Sequence, residues 1–314
     1  GEAHMLHQFF KRGLTALAVA GVLAATGAQA QEAYPSKPVT FIVPSAAGGS
    51  PDVLSRLFTN QLSKDLKATF VVENKPGAAG NIGIMQIKRA AADGYTIGYG
   101  NINTLAVNRS LFKKLPYDVD ADLTPVAHLF NLYNVLIVPA DSPVKSVQDL
   151  IDRAKEKPGL MSYGASGVGT TGHMGGELFK SMAKVDVMFI PYNGGPAALQ
   201  DLMGGRLDFM FSNTSEALPL VKSGKLRALG VSSLKRLALL PDVPTLDEAG
   251  LKGYETVAWG GVVAPKGTPA DRIATLNTAM DRYEFDSAAA IILVIIAIVM
   301  LAEYSSGWLR QRIQ

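Results

Sequence analysis

Val39-Thr40-Phe41-Ile42-Val43-Pro44-Ser45-Ala46-Ala47-Gly48-Gly49-Ser50-Pro51 is the stretch from which the fold can be read. Five β-favouring residues stop at a proline and pass through a small, glycine-rich turn. They reach Ser50, which can cap a helix, with Pro51 at its first position. Leu54, Leu57, Phe58, Leu62 and Leu66 then share one helical face. Strand, glycine turn and helix together form the repeating unit of an α/β fold.

The same order recurs along the chain. Phe70 to Val72 reads as a strand, Ile84, Ile87 and Ala91 mark a helix closed by Gly94, and Tyr95 to Tyr99 is a further strand. A second run starts at Val135 to Val138 and continues through a helix from Val147 to Ala154. Met161 to Tyr163 leads into a long glycine turn and a helix with Met174, Leu178 and Met182 on one face. Val187 to Ile190, a helix from Pro196 to Met203, Leu207 to Phe211 and Leu226 to Val231 complete it. Strands alternating with helices predict mostly parallel sheets covered by helices on both faces. Two such runs in 314 residues predict two lobes.

Four of the strand-to-helix turns are rich in Gly, Ser, Thr and Asn: residues 44–50, 100–104, 164–172 and 192–196. Such turns lie at the carboxyl ends of parallel strands, where ligands bind. Each opens a helix whose first N–H groups are unpaired and carry about half a positive charge. Brought together from two lobes, they would grip a small anion without an arginine, and a carboxylate is the natural guest. Ser45, Ser166, Thr170 and Thr171 can add hydroxyl donors. Asp52, in the first turn of its helix, favours that helix dipole and can also face a ligand amine or a water. His173 opens the helix after the third turn, where it either donates to a ligand or caps the turn. His128 reads as structural.

Other chemistry is scarce. The chain has no cysteine, which excludes disulfides, thiolate zinc sites, iron–sulfur clusters and thiol catalysis. A formal charge of +3 is too small for a nucleic-acid binder, and no partner of that kind is expected. Neither a phosphate-loop, a metalloprotease nor a nucleophile-elbow motif is present, so no metal and no catalytic set is expected. Gly167-x-Gly169-x-x-Gly172 fits a dinucleotide fingerprint, but Asp186 precedes its strand where the ribose-binding acid should follow it. No cofactor is expected.

The two ends raise the mean hydropathy to +0.17. Residues 1–30 read as a tag remnant followed by a signal peptide: Lys11 and Arg12, an apolar Leu14 to Thr26, and the Ala28-Gln29-Ala30 cleavage box. Ser287 to Ala302 is an uncharged apolar run of 16 residues, followed by Tyr304, Trp308, Arg310 and Arg312. It is just short of the ~20 residues of a spanning helix. Extended through 287–309, it is a candidate membrane tether with a basic cytoplasmic end. A buried helix folded back over the first lobe is the competing expectation.

Specific words now carry a resemblance. They are Pro44-x-x-Ala47-Gly48-Gly49-x-x-Asp52, Val72-Glu73-Asn74-Lys75-Pro76-Gly77-Ala78-x-Gly80-Asn81, Asp93-Gly94-Tyr95-Thr96 and Lys114-Leu115-Pro116-Tyr117-Asp118. Further on come Gly167-x-Gly169-Thr170-Thr171-x-His173, Pro191-Tyr192, Leu240 to Thr245, Ala258-Trp259-Gly260 and Ala264-Pro265-x-Gly267-Thr268-Pro269. From Tyr34 to about Arg282 the chain resembles the substrate-binding receptors of tripartite tricarboxylate transporters, the TctC-like or Bordetella uptake gene family. The resemblance implies a two-lobed periplasmic-binding-protein fold of type II, closing over a small organic anion, a di- or tricarboxylate. It implies delivery to membrane carrier subunits, no enzymatic turnover, and a ligand held by loops matching 45–52 and 165–173. The candidate binding residues are Ser45, Ala47, Gly48, Gly49, Asp52, Asn101, Ser166, Gly169, Thr170, Thr171, His173, Tyr192 and Asn213. Residues 31–125 with 236–282 are expected to form one lobe and 126–235 the other, with 283–314 as a hydrophobic tail. Asn193 and Ser212 stand where family members often carry a basic residue and an aspartate. From Tyr283 the chain departs, and Phe285 to Gln314 resembles the last membrane helix of a transport permease. A secreted α/β enzyme acting on small acids, and a non-functional fusion, are the alternatives.

Overall fold

A computed structural model describes residues 33–281. The expected signal peptide and the apolar tail lie outside the described residues. Of the unit Gly1–Ser36, only residues 33–36 are described, and they have no regular secondary structure. The unit from Lys37 onward carries the fold.

Its first sheet is built on β1 (Val39–Val43), which pairs in parallel with β2 (Phe70–Asn74) and β3 (Thr96–Asn101). The 16-residue helix Ser50–Asp65 buries Leu54, Phe58 and Leu62 against one face, with the Phe58 ring edge-on to Phe41 at 6.0 Å. The helix Asn81–Arg89 covers the other face, where Ile84 and Ile87 meet Ile42 and Val263. This is the unit the opening stretch predicted, with one correction. The cap is Gly49, and Ser50 is the first helical residue, so its hydroxyl does not cap the helix.

Two long strands, unread as such in the sequence, complete this sheet, and one of them leaves it. β4 (Leu123–Pro139) is 17 residues long, and β9 (Val257–Pro265) runs antiparallel to both β3 and the first half of β4. The second half of β4 enters a different sheet, pairing antiparallel with β7 (Phe209–Asn213) and β8 (Leu226–Val231). There β5 (Ser162–Ala165) joins β7 and β6 (Met188–Pro191) in parallel. The whole path is β2-β1-β3-β9-β4-β7-β5-β6, with β8 on β4. β4 changes character where it changes sheet. Its first half mixes buried, half-buried and exposed positions, whereas Asn134 to Val138 is buried without a break, as in a strand covered on both faces.

The second sheet is covered by helices on both faces. The helix Thr171–Ala183 turns Gly172, Gly175, Gly176, Phe179 and Ala183 inward. Met174 is exposed and Leu178 and Met182 are only partly buried, so the inner stripe lies beside the methionine face predicted. Phe179 joins Tyr163, Phe209, Phe211 and Tyr254 in a stacked aromatic core. Across the sheet, the helices Gly195–Met203 and Thr214–Lys222 bury Leu199, Leu202 and Leu218 against Val135, Ile137 and Met210. Leu240 packs in this second cluster and Leu246, Leu251 and Tyr254 in the first. Their side chains thus lie in the core of the second sheet, although the sequence division put 236–282 with the first. Among the described residues no helix is long and apolar enough to cross a membrane.

Candidate functional site

The two sheets face each other across a cleft of about 660 Å³. Its wall is made by the turns that follow the parallel strands. Pro44 to Ser50 follows β1, Pro76 to Gly80 follows β2, and Asn101 to Thr104 follows β3. From the second sheet come Ser166 to Gly172 after β5, Pro191 to Gly195 after β6, and Ser212 to Glu216 after β7. Tyr99, Phe130, Leu132 and Trp259 supply an apolar floor. The two sets of turns touch. Ala46 lies against Gly194, and Leu111 against Gly169, closely enough that a Cβ on either glycine would press on it.

Ser45, Gly49, Asn101, Ser166, Thr170, Thr171, Tyr192 and Asn213 of the sequence candidates line this cleft. Ala47, Gly48, Asp52, Gly169 and His173 do not. Asp52 Oδ2 accepts from Gly48 N at 2.9 Å while Oδ1 accepts from Arg56 Nε at 2.9 Å. Arg56 also donates to Asn74 Oδ1, and Asn74 Nδ2 donates to the Ser45 carbonyl. This chain of bonds fixes the first turn from behind. His173 does the same for the turn after β5. Its Nδ1 accepts from Gly169 N at 3.0 Å, so the ring proton sits on Nε2, and the ring stacks on Phe189 at 4.1 Å. Thr170 caps that helix, accepting from His173 N, and donates to the Gly167 carbonyl at 2.7 Å. Burial lowers the His173 pKa, against the pull of Glu177. His128 pairs with Asn131 outside the cleft.

Polar side chains of the lining bond one another and their neighbours. Asn134 Nδ2 donates to Asn213 Oδ1 at 3.2 Å, and Asn101 accepts from Thr104 N at 3.0 Å. Tyr192 donates to Asp201 at 2.8 Å, which holds the ring in the wall. Ser45 Oγ is buried and has no partner in the protein, a state that costs about 1–3 kcal/mol when nothing relieves it. Tyr99 is deeply buried beside Phe130, and burial pushes its hydroxyl pKa up. Among the described residues no Lys, Arg or His lines the cleft. Apart from two tyrosines, Glu216 is the one ionisable side chain among the described residues that line it. Burial raises the pKa of that carboxyl.

Several lining residues escaped the sequence reading. The turn 76–80 obeys the same strand, glycine and helix rule as the four turns chosen. Ala78 and Ala79 adopt positive φ there, which sequence alone does not reveal. Asn134, Trp259 and Glu216 lie on strands or a helix whose approach to the cleft depends on how β4 and β9 cross between the sheets. Among the described residues no cluster of three or more His, Cys, Asp or Glu is placed to hold a metal.

The family model "Tripartite tricarboxylate transporter family receptor" matches residues 54–294. That match runs past Tyr283, into the apolar run where the sequence departs from the expected pattern. A UPF0065 protein in the tcbD-tcbE intergenic region of Pseudomonas sp. (strain P51) is 37% identical over 273 residues, 87% of this chain and 81% of that protein. Protein BugT of Bordetella pertussis (strain Tohama I) is 36% identical over 266 residues, 83% of this chain and 82% of its own. Among solved structures, R. palustris Rpa4515 with adipate superposes with a TM-score of 0.80 at 34% identity, over 87% of this chain and 98% of that one. MatC (Rpa3494) from Rhodopseudomonas palustris with bound malate gives 0.77 at 32% identity, over 84% of this chain and 89% of that one. Both the two-sheet architecture and the sequence therefore place this chain in the tripartite tricarboxylate transporter family of receptors, as a solute-binding protein.

Proposed function

We propose that this receptor captures a small organic anion of the di- or tricarboxylate class in the interlobe cleft and hands it to the membrane subunits of a tripartite carrier. One observation carries the reading: glycine-rich strand-to-helix turns from both sheets converge on a cleft that no cationic side chain among the described residues lines. Backbone amides and hydroxyls at helix starts bind a carboxylate there without the strong counter-charge that would make release slow. The neighbours solved with adipate and malate support the ligand class. Ser45, Gly49, Asn101, Ser166, Thr170, Thr171, Tyr192 and Asn213 are proposed to face the ligand. Ala47, Gly48, Asp52, Gly169 and His173 are proposed to hold the two gripping loops in shape. The lobes are proposed to move about the β4 and β9 crossing, and ligand is released chemically unchanged.

The test is thermal unfolding against a panel of C4 to C6 mono-, di- and tricarboxylates. A ligand at 100 times its Kd adds about 2.7 kcal/mol, a rise of several degrees for a chain of this size. A panel in which no acid moves the midpoint would sink the proposal.

Receptors of this family are periplasmic. The finer proposal is that residues 287–309 tether the receptor to the inner membrane with Arg310 and Arg312 on the cytoplasmic side. Carbonate extraction of membranes should leave the full chain in the pellet and release a chain ending at Arg282. Release of both removes the tether.

A further inference from the structure

Glu216 lies in the first turn of the helix Thr214–Lys222 on the second sheet, and its side chain reaches the helix Ser50–Asp65 on the first. Oε1 accepts from Ser50 N at 2.7 Å and from Ser50 Oγ at 2.9 Å. Both lone pairs of that oxygen are then in use. Oε2 lies between Gly195, where any Cβ would strike it, and Ser212 Oγ at 3.5 Å, the outer limit of a hydrogen bond. Gly195, Ser212 and Glu216 all line the cleft. One oxygen of the carboxyl is therefore spent on the opposite sheet, and the other stands in the cleft wall with little to bond.

These surroundings favour the acid over the anion. An enclosed carboxylate with no cation beside it is costly, and among the described residues no cationic side chain lines the cleft. The charged groups on the elements packed around Glu216 are committed to other partners or sit at helix ends. Asp52 and Arg56 pair with each other on the helix Ser50–Asp65, whose last residues include Lys64 and Asp65. Asp201 on the helix Gly195–Met203 pairs with Arg206 and accepts from Tyr192, and Lys222 ends the helix of Glu216 itself. None of these charged groups lines the cleft. Burial raises the Glu216 pKa, and the opposing bonds from Ser50 and Ser212 do not cancel it. In the neutral acid Oε1 keeps both Ser50 bonds, and the proton sits on Oε2.

We propose that neutral Glu216 is a binding residue whose Oε2–H donates to one carboxylate of the ligand, so that capture of a dicarboxylate is coupled to a proton on Glu216. This rests on the reading that the cleft holds a small carboxylate, and deepens it. No covalent bond of the ligand changes. The proton comes from solvent when Glu216 is ionised in the empty cleft, and returns there on release. A bound carboxylate disfavours the ionised form of Glu216 further, as a like charge does. Affinity therefore falls as pH rises through the Glu216 value of the empty receptor, and levels off above that of the complex. A Glu216 that only clasped the two sheets together would behave in the opposite way. Its ionised form accepts more strongly from Ser50, so the clasp would tighten as pH rises.

Calorimetric titration of the full chain with malate, and with adipate as a second probe, tests this between pH 6 and pH 9.5, with allowance for the acids' own titration. The Kd of the parent should rise by at least about tenfold across that range. Glu216→Gln keeps an acceptor for Ser50 and an N–H to donate in place of the acid proton. Its Kd should match the parent's at pH 6 and stay within about threefold to pH 9.5. Midway through the parent's decline, buffers of different ionisation enthalpy should register a proton uptake that the variant lacks. Circular dichroism and a cooperative melt verify the variant's fold, and the parent's own profile and proton uptake stand as a test without it. A flat parent profile, an affinity that rises with pH, the same decline in Glu216→Gln, or binding that only the variant shows overturns the proposal. If neither acid binds parent or variant at any pH, the carboxylate reading itself falls, and this proposal with it.

Discussion

His173 shows how a residue can matter to a binding loop without touching the cleft. Its neutral ring accepts the Gly169 N–H, and a protonated ring has no lone pair to do so. Burial lowers its pKa in the folded protein, so the unfolded chain binds the proton more readily. The bond's contribution is therefore present above the ordinary histidine value of ~6.5 and is lost as pH falls through the folded value. Glu216 works in the opposite direction. Its raised pKa favours the folded state at acid pH and loses that contribution as pH rises, so the parent's profile alone mixes the two. His173→Asn retains an acceptor near Nδ1 but cannot titrate. The difference in melting temperature between parent and His173→Asn should change sign or shrink between pH 7.5 and pH 5, by an amount worth about 1 kcal/mol. A difference that is flat across that range would rule out His173 as the titrating group.

At the scale of elements, the helix Thr171–Ala183 and the pair β4 and β9 explain most of the departures from expectation. The helix sits close to its sheet because Gly176 faces the Tyr163 ring, where a Cβ would lie 2.1 Å from a ring carbon. Methionines at helical spacing look like a core stripe, but glycines fill the inner face because space against two aromatic strands is short. β4 was legible only in its buried second half, Val135 to Val138. Its first half pairs antiparallel with β9; the interrupted burial of that half, and the paired glycines and closing proline of β9, leave no continuous β-branched run to recognise. At the crossing, Ser232 Oγ donates to the Thr256 carbonyl and accepts from Asn134 N, while Ser232 N donates to the Asn134 carbonyl. Three strands that are distant in sequence are thus tied at one buried hydroxyl.

At the scale of the molecule, binding depends on two sheets approaching until their turns meet. Gly169 has φ +78°, a left-handed conformation, and a Cβ there would come within 2.7 Å of Leu111 on the opposite side. Gly169→Val should therefore prop the cleft open and weaken carboxylate binding by at least about tenfold, or about 1.4 kcal/mol, while circular dichroism stays native. Gly205, at φ +70° with nothing within 4 Å, is the control, because Gly205→Val carries the same backbone strain with no neighbour to strike. Equal affinities for the two variants in calorimetric titration would show that loop strain, and not lobe approach, is responsible.

The sequence by itself determined the α/β units, the glycine turns at strand ends and the family words, because each is a local event. Apolar spacing, proline and glycine positions and helix-start chemistry act within about ten residues. Eight of the candidate residues sit at strand ends or in the turns that follow, and line the cleft once the turns are brought together. Only the tertiary structure decided which turns converge, that Asp52 and His173 brace loops from behind, and that residues 240–254 pack with the second sheet. It alone brought Glu216 to Ser50. Those facts depend on the long strand β4, which pairs with β9 in the first sheet and carries the chain into the second, and pairing between strands more than a hundred residues apart leaves no mark in a local pattern.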